Sequence, residues 1–145
     1  MVKGSCLCGC IAFEIEPAEV VLTVQCYCAN CRKVSGSQFG VYLQMRPAGF
    51  RWLSGEADVD TYESSPGNRR AFCRICGCVA PILTNYGAVR VPGGALEEDP
   101  ALRPDTVLHA DKKAEWCSNS SPSHVFSDSG PPEFWRKALA RLYTS

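Results

Sequence analysis

Apolar and polar positions alternate over much of Ile11-Ala12-Phe13-Glu14-Ile15-Glu16, the two-residue period of a half-buried strand, and Pro17 ends it. Val20-Val21-Leu22-Thr23-Val24-Gln25 is a β-branched run and reads as the returning strand. Phe39 to Met45, Phe50 to Leu53 and Val59 to Tyr62 follow as further strands, with turns at Ser54-Gly55 and over Glu63 to Asn68. Between them, Arg32 to Ser37 predicts a short turn of helix closed by Gly36. Val79 to Leu83, Ala88 to Val91 and Thr106 to His109 complete the strands, separated by a loop that Pro100 and Pro104 punctuate. Residues 118–131 are rich in Ser, Pro and Gly and predict a loop. Pro132-Glu133 then suits the first turn of a terminal helix over 132–143, with Phe134, Ala138, Leu139 and Leu142 on one face. The pattern predicts a mainly β chain of short strands, a single domain over 1–145 with its core at about 3–117.

Charge and composition narrow the function. Lys plus Arg and Asp plus Glu are both 15, so the net charge is zero and the strongly basic face of a nucleic-acid binder is missing. No apolar run reaches the length of a membrane span. The first residues, Met1-Val2-Lys3-Gly4-Ser5-Cys6, carry no apolar signal core, which predicts a cytoplasmic protein. Ten cysteines in that setting read as metal ligands before disulfides.

Their spacing supports this. Cys26-Tyr27-Cys28-Ala29-Asn30-Cys31 places three thiols within six residues, too close together for unstrained bridges. Zinc accepts such thiolates in a tetrahedron, and three ligands leave one vertex open, the mark of a catalytic site. Cys6-Leu7-Cys8 and Cys73-Arg74-Ile75-Cys76 come from distant segments, as a closed four-thiolate site requires. A rival grouping gives Cys73 to the trio but strands the N-terminal pair. Cys10 and Cys78 read as small buried hydrophobes ahead of an alternative zinc ligand or a bridge, and Cys117 as unpaired.

Gly4-Ser5-Cys6-Leu7-Cys8-Gly9, then Cys26 to Lys33 with Ser35-Gly36-Ser37, then Phe72-Cys73-Arg74-Ile75-Cys76-Gly77, resemble the glutathione-dependent formaldehyde-activating enzyme family, which shares its domain with centromere protein V. The resemblance continues more weakly through Gly94-Ala95-Leu96, His109 and Lys113-Ala114-Glu115-Trp116. It implies a small zinc-stapled β-sheet sandwich of the β-tent type with two zincs per chain. One would be structural (Cys6, Cys8, Cys73, Cys76) and one open (Cys26, Cys28, Cys31). It also implies a carbon–sulfur lyase that adds a thiol, glutathione in the family's named activity, to formaldehyde.

In such a site Arg32 and Lys33 would offset negative charge or hold a carboxylate, and Ser35 and Ser37 would donate to a developing alkoxide. The plainer reading leaves both cations solvated. His109 reads as a packed histidine and His124 as solvated. Arg69, Arg70 and Arg74 read as an exposed cationic face. Trp52, Trp116, Phe39 and Tyr42 read as core or pocket wall. Two rivals to the enzyme are a closed zinc module that binds a protein partner and a redox sensor whose trio oxidises and ejects zinc.

Overall fold

Eleven strands and two helices form in the computed structural model, which describes residues 1–117 and 126–140. The chain divides into two units, Met1–Glu115 and Trp116–Ser145. In the first, β1 (Val2–Ser5), β2 (Ala12–Ile15) and β5 (Phe50–Ser54) make one antiparallel sheet in the order β1-β2-β5. β3 (Val20–Cys26), β4 (Gly40–Met45), β9 (Ile82–Leu83), β10 (Val89–Pro92) and β11 (Thr106–Leu108) make a second, ordered β11-β3-β4-β10-β9, with β11 parallel to β3. The third is β6 (Val59–Ser65), β7 (Asn68–Cys73) and β8 (Val79–Ala80). Among the described residues no sheet closes into a barrel.

Inward positions of the first two sheets supply the main core: Phe13 and Ile15 from β2, Leu43 and Met45 from β4, Val89 and Val91 from β10. Phe13 stacks on Phe50 and meets the edge of Trp52, which places Trp52 in this packing. Glu14, on the face that alternation assigned to solvent, is buried because Arg51 opposite it on β5 donates to its carboxylate. A second cluster, Ile11, Ala71, Ala80, Cys6 and Cys73, lies against the third sheet.

Three stretches of the sheets differ from the sequence reading, the first two because pairing overrides composition. β1 was not expected: Val-Lys-Gly-Ser lacks strand character, yet it pairs along β2. The turn expected over Glu63 to Asn68 contracts to Pro66-Gly67, since β6 continues to Ser65 and the arginine-rich stretch before Cys73 pairs with it as β7. The single strand expected over Val79 to Leu83 breaks at Pro81, which has no N–H to give a ladder. Its two halves join different sheets.

The helix α1 (Ala29–Ser35) begins three residues earlier than expected, because the Cys28 side chain accepts from the Cys31 N–H and caps it. Gly36 ends it at φ +61°, a left-handed conformation that glycine adopts without strain.

In the second unit, α2 (Pro132–Leu139) starts at the expected Pro132, and Phe134 packs edge-on against Phe126 and Trp135. The expectations for the loop at 118–125, residues 141–143, Leu142, His124 and the Cys117 thiol fall outside the described residues. No helix among the described residues is long and apolar enough to cross a membrane.

Candidate metal centres

Cys26 ends β3, Cys28 caps α1 and Cys31 lies one turn into it, so the strand-to-helix junction turns all three thiols inward. Their sulfurs lie within 4.8 Å of one another. Val24 and Tyr42 pack on them and bury Cys26 and Cys31. Among the described residues no fourth His, Cys, Asp or Glu joins this group.

The second group forms where the Cys6–Ile11 loop meets the end of β7. The Cys6 N–H donates to the Ile11 carbonyl (3.0 Å), closing the loop. The Gly77 N–H donates to the Cys73 carbonyl (2.8 Å), shaping the Cys73–Cys76 knuckle. Sulfurs of Cys6, Cys8, Cys73 and Cys76 come within 4.8 Å of one another. Zinc–sulfur bonds of about 2.3 Å set tetrahedral sulfurs about 3.8 Å apart, and Cys6–Cys8 at 3.5 Å and Cys8–Cys73 at 3.9 Å suit that.

The electrostatics around the trio also fit a metal. Arg70, expected on an exposed face, is buried with 8% of its surface accessible. Its Nη2 lies 3.8 Å from Cys31 Sγ and its Nε donates to Ser64 Oγ at 3.2 Å. It faces inward because β7 is a strand whose alternation turns Arg70 toward α1. Arg69 remains exposed, and Arg74, also exposed, pairs with Asp58. A buried guanidinium is costly without an anion, and thiolates held by a metal supply one.

Thiols without metal would ionise unevenly here. Burial opposes ionisation of Cys28, but the Cys31 N–H and the neighbouring thiols outweigh it and hold its pKa below the ordinary value. Burial first, then the demands of Cys26 and Cys28, push Cys31 up to about 12, with Arg70 pulling the other way.

Tyr42 completes the surroundings. Its hydroxyl is buried without a hydrogen-bond partner, and burial followed by the Cys31 charge raises its pKa to about 12. The Arg90 guanidinium sits 5.8 Å from its ring centre. Tyr42 and Phe39, with Ser35 and Ser37, line a cavity of about 670 Å³ whose far wall includes Leu7, Pro92 and Leu96. Among the described lining residues Glu97 alone is charged.

The remaining expected site residues are placed as follows. Arg32 is half-buried and its Nε has no partner, while Lys33 is exposed. The Ser37 hydroxyl donates to the Phe39 carbonyl (2.5 Å) and the Ser35 hydroxyl to the Cys31 carbonyl (2.8 Å), so both are engaged within the turn. Cys10 and Cys78 are not fully buried hydrophobes; each is half-buried, and Cys10 reaches the second thiol group. His109 is exposed rather than packed, because it leaves β11 in a left-handed conformation at φ +54°. Trp116, beyond the last strand, is exposed rather than core. Arg70, expected on an exposed face, is the site residue that the sequence places wrongly, and strand parity in β7 is the signal that would have placed it. Tyr42, expected as core or pocket wall, is buried and lines the cavity.

Fold and clusters together define a mainly β protein with two cysteine groups that can hold zinc. The chain belongs to the glutathione-dependent formaldehyde-activating enzyme family, whose profile matches residues 1–112. No curated protein matches it in sequence. Among solved structures, a Rhodobacter sphaeroides protein superposes with a TM-score of 0.57 at 21% identity, over 73% of this chain and 98% of that one. At that identity the likeness speaks for the fold alone.

Proposed function

We propose that Cys26, Cys28 and Cys31 form an open zinc site where a thiol adds reversibly to an aldehyde, as a carbon–sulfur lyase of the S-hydroxymethylglutathione synthase type. The observation that carries this reading is the three-thiol group itself, backed by buried Arg70; a cavity of ligand size begins beyond Tyr42, Ser35 and Ser37, with Cys6 and Cys78 on its other lining. Cys26, Cys28 and Cys31 would hold the zinc, which would lower the pKa of an incoming thiol toward the neutral range. The Cys6, Cys8, Cys73 and Cys76 group ties the N-terminal loop to the third sheet as the structural site, giving two zincs per chain.

In the addition, sulfur bonds to the carbonyl carbon, the C=O π pair moves onto oxygen, and the proton given up by the thiol ends on that oxygen. No electrons leave the pair of reactants. Tyr42 lines the cavity, and its buried hydroxyl beside Cys31 is the donor we assign to the developing alkoxide. Arg70 holds the Cys31 sulfur from behind, and half-buried Arg32 adds a second cation. Ser37 contributes as cavity wall, its own proton turned to Phe39. With Glu97 the one charge lining the cavity among the described residues, apolar aldehydes and uncharged thiols belong in the substrate panel beside formaldehyde and glutathione.

Zinc per chain, measured before and after dialysis against glutathione, tests the reading. Two zincs falling to one, with Cys28→Ser holding one from the start, supports the open site, and adduct formation with aldehydes then identifies the substrate. Two zincs that glutathione cannot remove would mean two closed sites and a module that binds a protein partner.

A further inference from the structure

The thiol group at the N-terminal loop holds five sulfurs, one more than a tetrahedral ion uses. Cys10 Sγ lies 3.3 Å from Cys8 Sγ, 3.3 Å from Cys73 Sγ and 3.7 Å from Cys6 Sγ. Those separations are as short as the ones within the four-cysteine set, where Cys6–Cys8 is 3.5 Å and Cys8–Cys73 is 3.9 Å. All are near the sulfur–sulfur spacing of about 3.8 Å that zinc with 2.3 Å bonds imposes.

Cys10 is held in place by its own backbone. Its carbonyl accepts from Ser54 Oγ at 3.4 Å, and a Cβ on Gly55 would come within 2.1 Å of that same oxygen. The end of β5 therefore clamps the loop at this residue. We infer that this site has two interchangeable four-thiolate sets: Cys6, Cys8 and Cys73 are completed either by Cys76 or by Cys10.

Zinc has no d-electron geometric preference between two such sets, since both offer four thiolates. Exchange needs no oxidant: the Cys10 thiol releases its proton as the Cys76 thiolate takes one up, and the charge of the site is unchanged. The chemical consequence is retention. Cys76 and Cys10 are both half-buried, and when an electrophile or oxidant consumes Cys76, Cys10 keeps the metal in place. The inference rests on Cys6, Cys8 and Cys73 being zinc ligands, which Cys73→Ser tests separately.

Zinc per chain in Cys76→Ser, Cys10→Ser, the double variant and Cys73→Ser is the experiment. Cobalt(II) substitution reads thiolate number in the same proteins through the thiolate charge-transfer band. Each of the first two should keep two metals and a full four-thiolate band, while the double variant and Cys73→Ser keep one. One metal in Cys76→Ser alone, or two in the double variant, would overturn the inference. Two metals in Cys73→Ser would instead overturn the ligand assignment beneath it. In the native zinc protein, brief maleimide labelling gives a check that needs no variant. Cys10 and Cys76 should modify at comparable rates, and rapid Cys10 beside fully protected Cys76 would refute the exchange.

Discussion

Arg70 and Cys31 stand 39 residues apart in sequence, yet the guanidinium Nη2 lies 3.8 Å from the thiol sulfur in a buried contact. The contact joins the third sheet to the junction of β3 and α1. Three residues after Arg70, the same strand ends in Cys73 of the other thiol group. One short strand therefore serves both cysteine groups.

Arg70→Ala removes the buried cation and leaves the trio's negative charge uncompensated. Loss of such an outer partner costs about 10–100-fold in metal affinity, and that loss should fall on the trio's zinc alone. Competition with a chelator, read as two separate release phases, checks it. Arg70→Lys should recover only part of the affinity, because an ammonium lacks the planar fork that reaches Ser64 and Cys31 together.

Tyr42→Phe separates stability from chemistry. The hydroxyl is buried and unpartnered, so removing it should leave unfolding free energy unchanged or higher by about 1 kcal/mol. Turnover of the thiol–aldehyde adduct should fall while zinc content stays at the wild-type value. Urea unfolding, metal analysis and adduct kinetics on one preparation decide this, and unchanged kinetics would leave Tyr42 a packing residue.

Zinc binding at the trio should strengthen as pH rises. Cys31 without metal holds its proton up to a pKa of about 12, through burial and its neighbouring thiols, so zinc must displace that proton to bind. Binding releases protons, and apparent affinity therefore climbs with pH through the neutral range and drops on acidification. Titration of the zinc-free trio at several pH values, with proton release followed in weak buffer, checks the sign.

Gly55→Ala should destabilise the first unit sharply. Its φ of +70° costs a side chain roughly 1–2 kcal/mol, and the new Cβ would lie 2.1 Å from the Cys10 carbonyl oxygen. Equilibrium unfolding should show a loss larger than the conformational cost alone, with weaker retention of the second zinc.

Local signals carried much of this protein. Cys26-x-Cys28-x-x-Cys31 and Cys73-x-x-Cys76 are legible in sequence because closely spaced thiols reach one metal through local backbone alone. The β-branched run before Cys26 and the glycine after α1 marked real boundaries for the same reason. Long-range choices were not written locally. Arg69 and Arg70 are the same residue type side by side, and only pairing of β7 with β6 decides that one is exposed and the other buried against Cys31. Cys10 resembled a small hydrophobe until the loop closure at Cys6 and Ile11 and the approach of Gly55 set its sulfur beside Cys73. Sequence determined the local thiol sets, Cys26 with Cys28 and Cys31, and Cys73 with Cys76, since their spacing is covalent. Tertiary structure decided which charges and spare sulfurs face them, since that depends on strand register between segments the chain brings together only on folding.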